Sequence, residues 1–206
     1  MYKMSKKTSN HYFVSNPKSK IKLGTIHTVL RGRTFEFLTS SGLFSKKRVD
    51  LGTRLLIESM ILPEEGLILD VGCGYGAIGI AAATFNPNLS VVMVDVNKRA
   101  IWLTKQNIKR NNLSNIEVRR GYLYEPAKDL NFNCILSNPP ISVGMKAVTA
   151  IIVGAPRHMA NKAFFQMVVR SKIGKKRLRT LLEKVFGNTE ILTKKSGYRV
   201  FISEKQ

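Results

Sequence analysis

The chain has 206 residues, 44% of them hydrophobic and 23% charged, which is enough apolar side chain for one globular core and excludes wholesale disorder. Its 34 Lys and Arg against 13 Asp and Glu leave a formal net charge of +21, well beyond the magnitude of about 2 to 8 that solubility asks of a small domain. No apolar run approaches the roughly 18 residues of a membrane span, and the opening segment has no signal-peptide h-region. Two cysteines, Cys73 and Cys134, are too few for a disulfide framework and lack zinc-site spacing, so they read as small buried residues. The expectation is a cytosolic protein with neither a membrane nor a metal as partner.

The charge is unevenly placed. Residues 1–60 carry 12 basic and 3 acidic side chains, residues 61–140 carry 8 and 7, and residues 141–206 carry 14 and 3. A nearly neutral middle between two basic flanks predicts a surface that faces a polyanion, and nucleic acid fits better than a membrane because no lipidation signal is present.

In chain order, residues 1–20 are rich in Lys, Ser and Asn, with an aromatic cluster at His11, Tyr12 and Phe13. The segment TIHTVLRGRTFEFLT reads as a β-hairpin about Arg31-Gly32. Asp50 is the predicted N-cap of a helix carrying Leu55, Leu56, Ser59 and Met60, stopped at Pro63. From Leu67 strands and helices alternate: LILDV, a helix over about 76–85, VVMVDV, a helix over about 98–111, then IEVRR and CILSN. Near-continuous apolar strands separated by helices predict an α/β doubly wound fold with a parallel sheet covered on both faces. A helix over about 144–159 precedes the strand AFFQMVV. KKRLRTLLEKVF follows as an amphipathic helix with Leu178, Leu181, Leu182, Val185 and Phe186 on one face. TEILT and YRVFIS close the chain as a hairpin around Lys195-Ser196-Gly197.

The junction of the first parallel strand and its helix, LILDVGCGYGAIGIA, places Asp70, Gly72, Gly74, Gly76 and Gly79 where this class of fold binds nucleotide cofactors. Glycines there let the main chain approach a ligand closely. Gly74, Gly76 and Gly79 satisfy GxGxxG, so a dinucleotide dehydrogenase enters consideration. Asp70 separates the readings: a carboxylate two residues before Gly72 repels a pyrophosphate but suits the ammonium and sulfonium of S-adenosylmethionine. Asp95, ending the second strand, can accept hydrogen bonds from ribose hydroxyls of either cofactor; its plainer reading is a solvated carboxylate ahead of a helix. Cys73 and Val96, next to these residues, join them as cofactor-lining positions.

DVGCGYGAIGI, VDVN and SNPPI, in this order, resemble class I S-adenosylmethionine-dependent methyltransferases. More narrowly, SGLFSKKRVDLGTRLLIE, NPPI and the terminal SGYRV resemble the small-domain family that contains the 16S ribosomal RNA guanine-N2 methyltransferases and their compact archaeal relatives, over roughly residues 11–203. The resemblance implies a seven-stranded Rossmann-like sheet of order 3-2-1-4-5-7-6 with its seventh strand antiparallel, preceded by the hairpin extension. Residues 1–60 then form a basic extension with hairpin and leading helix, and residues 61–206 a single cofactor-binding catalytic unit. The resemblance also places Thr53 near the methionine end of the cofactor.

Asn138, Pro139, Pro140 and Ile141 follow the fourth strand and so lie at the carboxyl edge of the sheet. The bland reading is a strand stopped by two prolines. The resemblance gives them the catalytic role: the Asn138 side-chain oxygen and the Pro139 carbonyl accept the hydrogens of an exocyclic amine and hold its nitrogen near the methyl group, with no strong base required. Adenine-N6 and glutamine-N5 relatives usually carry Tyr or Phe where this chain has Ile141, which cannot stack on a base. Clamping then falls to Phe44, Tyr12 or Phe13. Cys134, inside a strand and without a Pro-Cys motif, is no cytosine-C5 nucleophile. Tyr122 stands where many relatives have an Asp that contacts adenine, and is expected to stack on the adenine or donate its hydroxyl. His158, beside Arg157, reads as a surface or RNA contact rather than a base. The expected protein is an N-methyltransferase of an exocyclic RNA amine, guanine N2 of small-subunit ribosomal RNA ahead of transfer RNA, working as a monomer or small homo-oligomer. Its rivals are a protein glutamine-N5 methyltransferase and a catalytically silent basic RNA-binding module.

Overall fold

The structure is a computed structural model that describes residues 22–41, 48–139, 144–171 and 175–206. The hairpin forms as expected: β1 (Leu23–Leu30) and β2 (Arg33–Ser40) pair antiparallel in a sheet of their own. Arg31 and Gly32 both take left-handed φ values, 46° and 75°, the turn whose twist matches that of two antiparallel strands. Asp50 caps α1 (Leu51–Ser59), its carboxylate accepting from the Gly52 and Thr53 N–H groups.

The remaining elements alternate along the chain. They are β3 (Gly66–Val71), α2 (Ala77–Phe85), β4 (Leu89–Asp95), α3 (Lys98–Arg110), β5 (Ile116–Arg120), β6 (Phe132–Ser137), α4 (Met145–Gly154), β7 (Met159–Arg170), α5 (Lys175–Phe186), β8 (Glu190–Lys195) and β9 (Tyr198–Glu204). The second sheet has seven strands in the order β5-β4-β3-β6-β7-β9-β8. β3, β4, β5, β6 and β7 run parallel, and β9 is antiparallel to both β7 and β8. Counted within this sheet alone the order is 3-2-1-4-5-7-6 with the seventh strand antiparallel, as the resemblance implied. Among the described residues, β5 and β8 form its two open edges.

One correction concerns the helix expected over 144–159. It ends at Gly154 and continues as a single 3-10 turn, Ala155–His158. Pro156 has no N–H to donate and cannot sit inside an α-helix, so the chain tightens and then extends into β7.

Alternation along the buried strands sends side chains to two cores. Ile68, Met93, Leu136, Val168 and Val200 face one side of the sheet, under α1, α2, α3 and the hairpin, whereas Leu69, Val92, Ile135, Phe165 and Phe201 face α4 and α5. The hairpin buries Ile26, Leu30, Phe35 and Phe37 in the first core. Two buried amides pin the layers. Gln166 of β7 accepts from the Ile61 N–H and donates to the Ile61 carbonyl, fixing the chain as it leaves α1. Asn107 of α3 accepts from the Leu38 N–H at 2.6 Å and donates to the carbonyls of Leu38 and Tyr75, at 3.0 and 2.8 Å. One side chain therefore ties the hairpin, α3 and the β3–α2 turn together.

Replacing Asn107 with Leu leaves three buried backbone groups without partners, each worth roughly 1–3 kcal/mol. Urea unfolding of Asn107→Leu is expected to show a loss of at least about 2 kcal/mol, and a smaller loss would mean that the three groups find other partners.

Candidate active site

The site is built at the carboxyl ends of the parallel strands, beginning with the turn between β3 and α2. Gly72, Gly74 and Gly76 have φ values of 76°, 60° and 93°, conformations that side-chain-bearing residues rarely adopt. A Cβ at Gly72 or Gly74 meets nothing within 4 Å, so backbone and open space stand side by side there. At Gly79 the requirement is packing: a Cβ would lie 2.3 Å from Met93 Sδ, so the missing side chain lets α2 lie against β4.

Asp70, the penultimate residue of β3, is fully buried. Its Oδ2 accepts from the Gly79 N–H at 3.0 Å, serving the start of α2, which Gly76 cannot cap with a side chain. Its Oδ1 is buried and has no hydrogen-bond partner among the described residues. Burial raises the Asp70 pKa to about 7; the Gly79 hydrogen bond opposes the rise and the neighbouring Asp95 charge adds to it. An orphaned carboxylate oxygen beside an open glycine turn is a ready acceptor for a cationic ligand group.

Asp95 ends β4 and is buried, not solvated as its plainer reading held. One oxygen accepts from the Asn97 N–H at 2.8 Å and the other from the Gly74 N–H at 2.9 Å. The cap of α3 is Asn97, whose side chain accepts from the Arg99 and Ala100 N–H groups. Burial raises the Asp95 pKa to about 6, against the pull of these backbone donors. Cys73 is buried in the same turn, where burial pushes its thiol upward, and Val96 is half-buried just beyond Asp95.

Asn138 and Pro139 follow β6, and the structure brings Asn138 onto α1. Its Nδ2 donates to Thr53 Oγ1 at 2.8 Å and to Asp50 Oδ2 at 3.2 Å. Asp50 in turn accepts from the Tyr198 hydroxyl at 3.4 Å. Sequence reasoning took Asp50 as a helix cap and Tyr198 as part of SGYRV, and missed this junction. No local pattern reveals contacts between residues 88 and 148 positions apart; the resemblance, which drew on DLGT, NPPI and SGYRV together, was the only signal available.

Tyr122 lies after β5 and is 41% exposed. His158 is half-buried: its ring stacks on Tyr124 at 4.7 Å, its Nδ1 has no hydrogen-bond partner among the described residues, and burial and Arg157 lower its pKa. Tyr12, Phe13, Phe44, Pro140 and Ile141 lie outside the described residues. Cys134 is fully buried, consistent with a core residue. Among the described residues no group of three or more His, Cys, Asp or Glu is placed to hold a metal ion, and no helix is long and apolar enough to cross a membrane.

A sheet in this strand order, with acidic residues at the carboxyl ends of β3 and β4, Asp70 penultimate and Asp95 last, and a glycine turn between strand and helix, defines a Rossmann-like methyltransferase fold. The family model described as methyltransferase small domain matches residues 34–202, and the chain belongs to that family. It is 38% identical to the uncharacterized protein YbxB of Bacillus subtilis over 96% of this chain and 99% of that one. It is 32% identical to ribosomal RNA small subunit methyltransferase C of Vibrio parahaemolyticus, over 80% of this chain but 48% of the relative. The chain thus spans about half the length of the ribosomal RNA methyltransferases it matches. Among solved structures, the T. thermophilus 16S rRNA N2 methyltransferase RsmC, in complex with AdoMet and guanosine, superposes with a TM-score of 0.81 at 24% identity. That match covers 92% of this chain and 52% of the other, and the likeness is one of fold.

Because Asp70 and Asp95 titrate higher in the folded chain than in the unfolded one, the ligand-free protein binds protons more tightly when folded. Stability is therefore greatest below the ordinary carboxylate pKa of 3.8, as far as these two groups decide it, and is lost as pH rises to about 7. Asp70→Asn is expected to flatten this dependence, gaining on the order of 2–4 kcal/mol over the native chain at about pH 8 relative to about pH 5. Equal pH dependence in both chains, followed by urea unfolding, would show that Asp70 ionises without penalty.

Proposed function

We propose that the protein is an S-adenosylmethionine-dependent RNA methyltransferase acting on an exocyclic base amine, guanine N2 of small-subunit ribosomal RNA. The observation that carries this reading is the pairing, at one sheet edge, of the orphaned buried Asp70 Oδ1 beside an open glycine turn with the carboxamide of Asn138. The names of the ribosomal RNA relatives and the net charge of +21 support the RNA class.

The residues present fit the cofactor. Asp70 has an acceptor to spare for an ammonium or a bridging water, Gly72 and Gly74 leave room for close approach, and Asp95 has the position and chemistry for ribose hydroxyls. Cys73, Gly76, Val96 and Thr53 would line the same crevice, and Tyr122 is exposed beyond β5 for contact with the adenine. When bound, S-adenosylmethionine supplies an electrophilic methyl group on its sulfonium.

The target amine is a poor nucleophile because its lone pair is delocalised into the base. With Nδ2 engaged by Thr53 and Asp50, the Asn138 carboxamide presents Oδ1, which has no partner among the described residues, as the acceptor, and this oxygen and the Pro139 carbonyl take the two amine hydrogens. That arrangement favours the pyramidal nitrogen and aims its lone pair, so preorganised dipoles and positioning carry the acceleration. The proton leaves after transfer. Lys and Arg of the flanks bind phosphates, which orient the RNA without selecting the base, and the target base is splayed from its stack to reach the edge.

The test uses methyl-labelled S-adenosylmethionine with ribosomal RNA, ribosomal subunits, transfer RNA and protein fractions from cells lacking the enzyme, followed by nucleoside analysis. Label in N2-methylguanosine of the small subunit is expected; label confined to protein would transfer the assignment to glutamine N5, and label in another nucleoside would change the base. Asn138→Ala is expected to lower turnover by about 10²-fold or more while cofactor binding persists. Wild-type turnover in that variant would sink the mechanism. RNA affinity is expected to fall steeply with salt, as released counterions require, and a flat response would remove the polyanion surface.

A further inference from the structure

Beyond the residues that would touch substrate, we propose that Asp50, Tyr198 and Arg170 form a chain of positioning residues that fixes the Asn138 carboxamide in its working orientation. The inference rests on the reading of Asn138 given above. An asparagine side chain can turn over by half a revolution, exchanging donor for acceptor, and only its partners decide which face it shows. A carboxylate only accepts. With Asp50 Oδ2 3.2 Å from Asn138 Nδ2, the reversed orientation would set oxygen against oxygen, while Thr53 Oγ1 at 2.8 Å takes the second amide hydrogen. Both donors are spent on α1, and Oδ1 is the group left for the substrate.

Asp50 is itself held from two directions. Its Oδ2 accepts from Gly52 N–H at 2.9 Å and Thr53 N–H at 3.2 Å, where the positive end of α1 stabilises a negative charge. Its Oδ1 accepts from the Tyr198 hydroxyl at 3.4 Å. The hydroxyl has one hydrogen to give, and Arg170 sets its direction: Arg170 Nε donates to the Tyr198 oxygen at 2.9 Å, so the Tyr198 hydrogen is left for Asp50. The Arg170 guanidinium also lies 5.4 Å from the centre of the Tyr198 ring. Gly52 makes the approach possible, since a Cβ there would fall 2.8 Å from Tyr198 Cε1.

Arg170 ends β7, Tyr198 begins β9 directly opposite it, and Asn138 follows β6, so the chain of contacts crosses three strands at the edge where the cofactor turn also lies. A tertiary staple that merely held α1 to the sheet would need none of the directionality that these donors impose.

Two variants separate orientation from folding. Tyr198→Phe keeps the ring and loses the hydroxyl, and Asp50→Asn keeps a side chain that caps helices well while losing the carboxylate. In ¹⁵N-labelled protein without cofactor or RNA, the Asn138 side-chain amide pair, identified by its loss in Asn138→Ala, is expected to shift and to exchange faster with water in both variants. At saturating RNA each is expected to lower kcat about tenfold or more, with KM and cofactor affinity unchanged, and the double variant to lose less than the product of the two. Unaltered Asn138 amide resonances in Tyr198→Phe, or wild-type kcat, would overturn the proposal. A native chain that methylates no RNA would instead overturn the functional reading, and the amide resonances would still decide whether Tyr198 and Asp50 hold Asn138.

Discussion

Asp70 lies one residue from the end of β3 with its carboxylate closed off from solvent, one oxygen taken by the Gly79 N–H and the other without a partner among the described residues. Such burial is tolerated only where the charge is partnered or suppressed, and much of the neighbouring sequence answers that demand. The glycines after Asp70 turn the chain through left-handed conformations so that α2 starts within reach of the carboxylate, and Gly79 lacks the Cβ that would lift α2 away from Met93. The raised pKa of Asp70 is the other answer to that demand, because protonation removes the charge that burial penalises.

The same edge collects groups from remote parts of the chain. α1 precedes the first parallel strand, yet its N-terminal residues meet Asn138 after β6 and Tyr198 on β9. This follows from the strand order, which sets β6 beside β3 and β7 beside β6 and folds β9 back against β7, so that the start of an antiparallel strand reaches the end where the parallel ones finish. Gln166, holding Ile61 from both sides, keeps α1 at the depth this convergence needs.

Most of the architecture was legible in the sequence because its signals were local. The Arg31-Gly32 turn, the Asp50 cap, IEVRR as β5 and the amphipathic residues of α5 needed only periodicity and punctuation, and the observed elements coincide with them. Where local rules compete the reading slipped, as at Pro156, which divides a continuous apolar stretch into α4 and a 3-10 turn. Asp70 and Asn138 could be singled out by residue type and place, but the orphaned oxygen of the first and the direction of the second depend on burial and on partners far along the chain. The stacking of the His158 ring on Tyr124 is likewise a matter of packing that its place beside an arginine does not announce.

The two open edges of the large sheet bear on how the molecule behaves in a crowd. A free strand offers unpaired backbone donors and acceptors to any other chain that lies alongside it. β5 is five residues long and alternates apolar with charged side chains, including the Glu117–Arg119 pair, while β8 shifts register between Ile191 and Thr193 and ends in the exposed Lys194 and Lys195. Another chain laid along β8 would meet two exposed lysines and a strand bent by its register shift. The lysines at the end of β8 and its register shift make that edge a poor template for another chain, a discouragement that weakens wherever the lysines are neutralised.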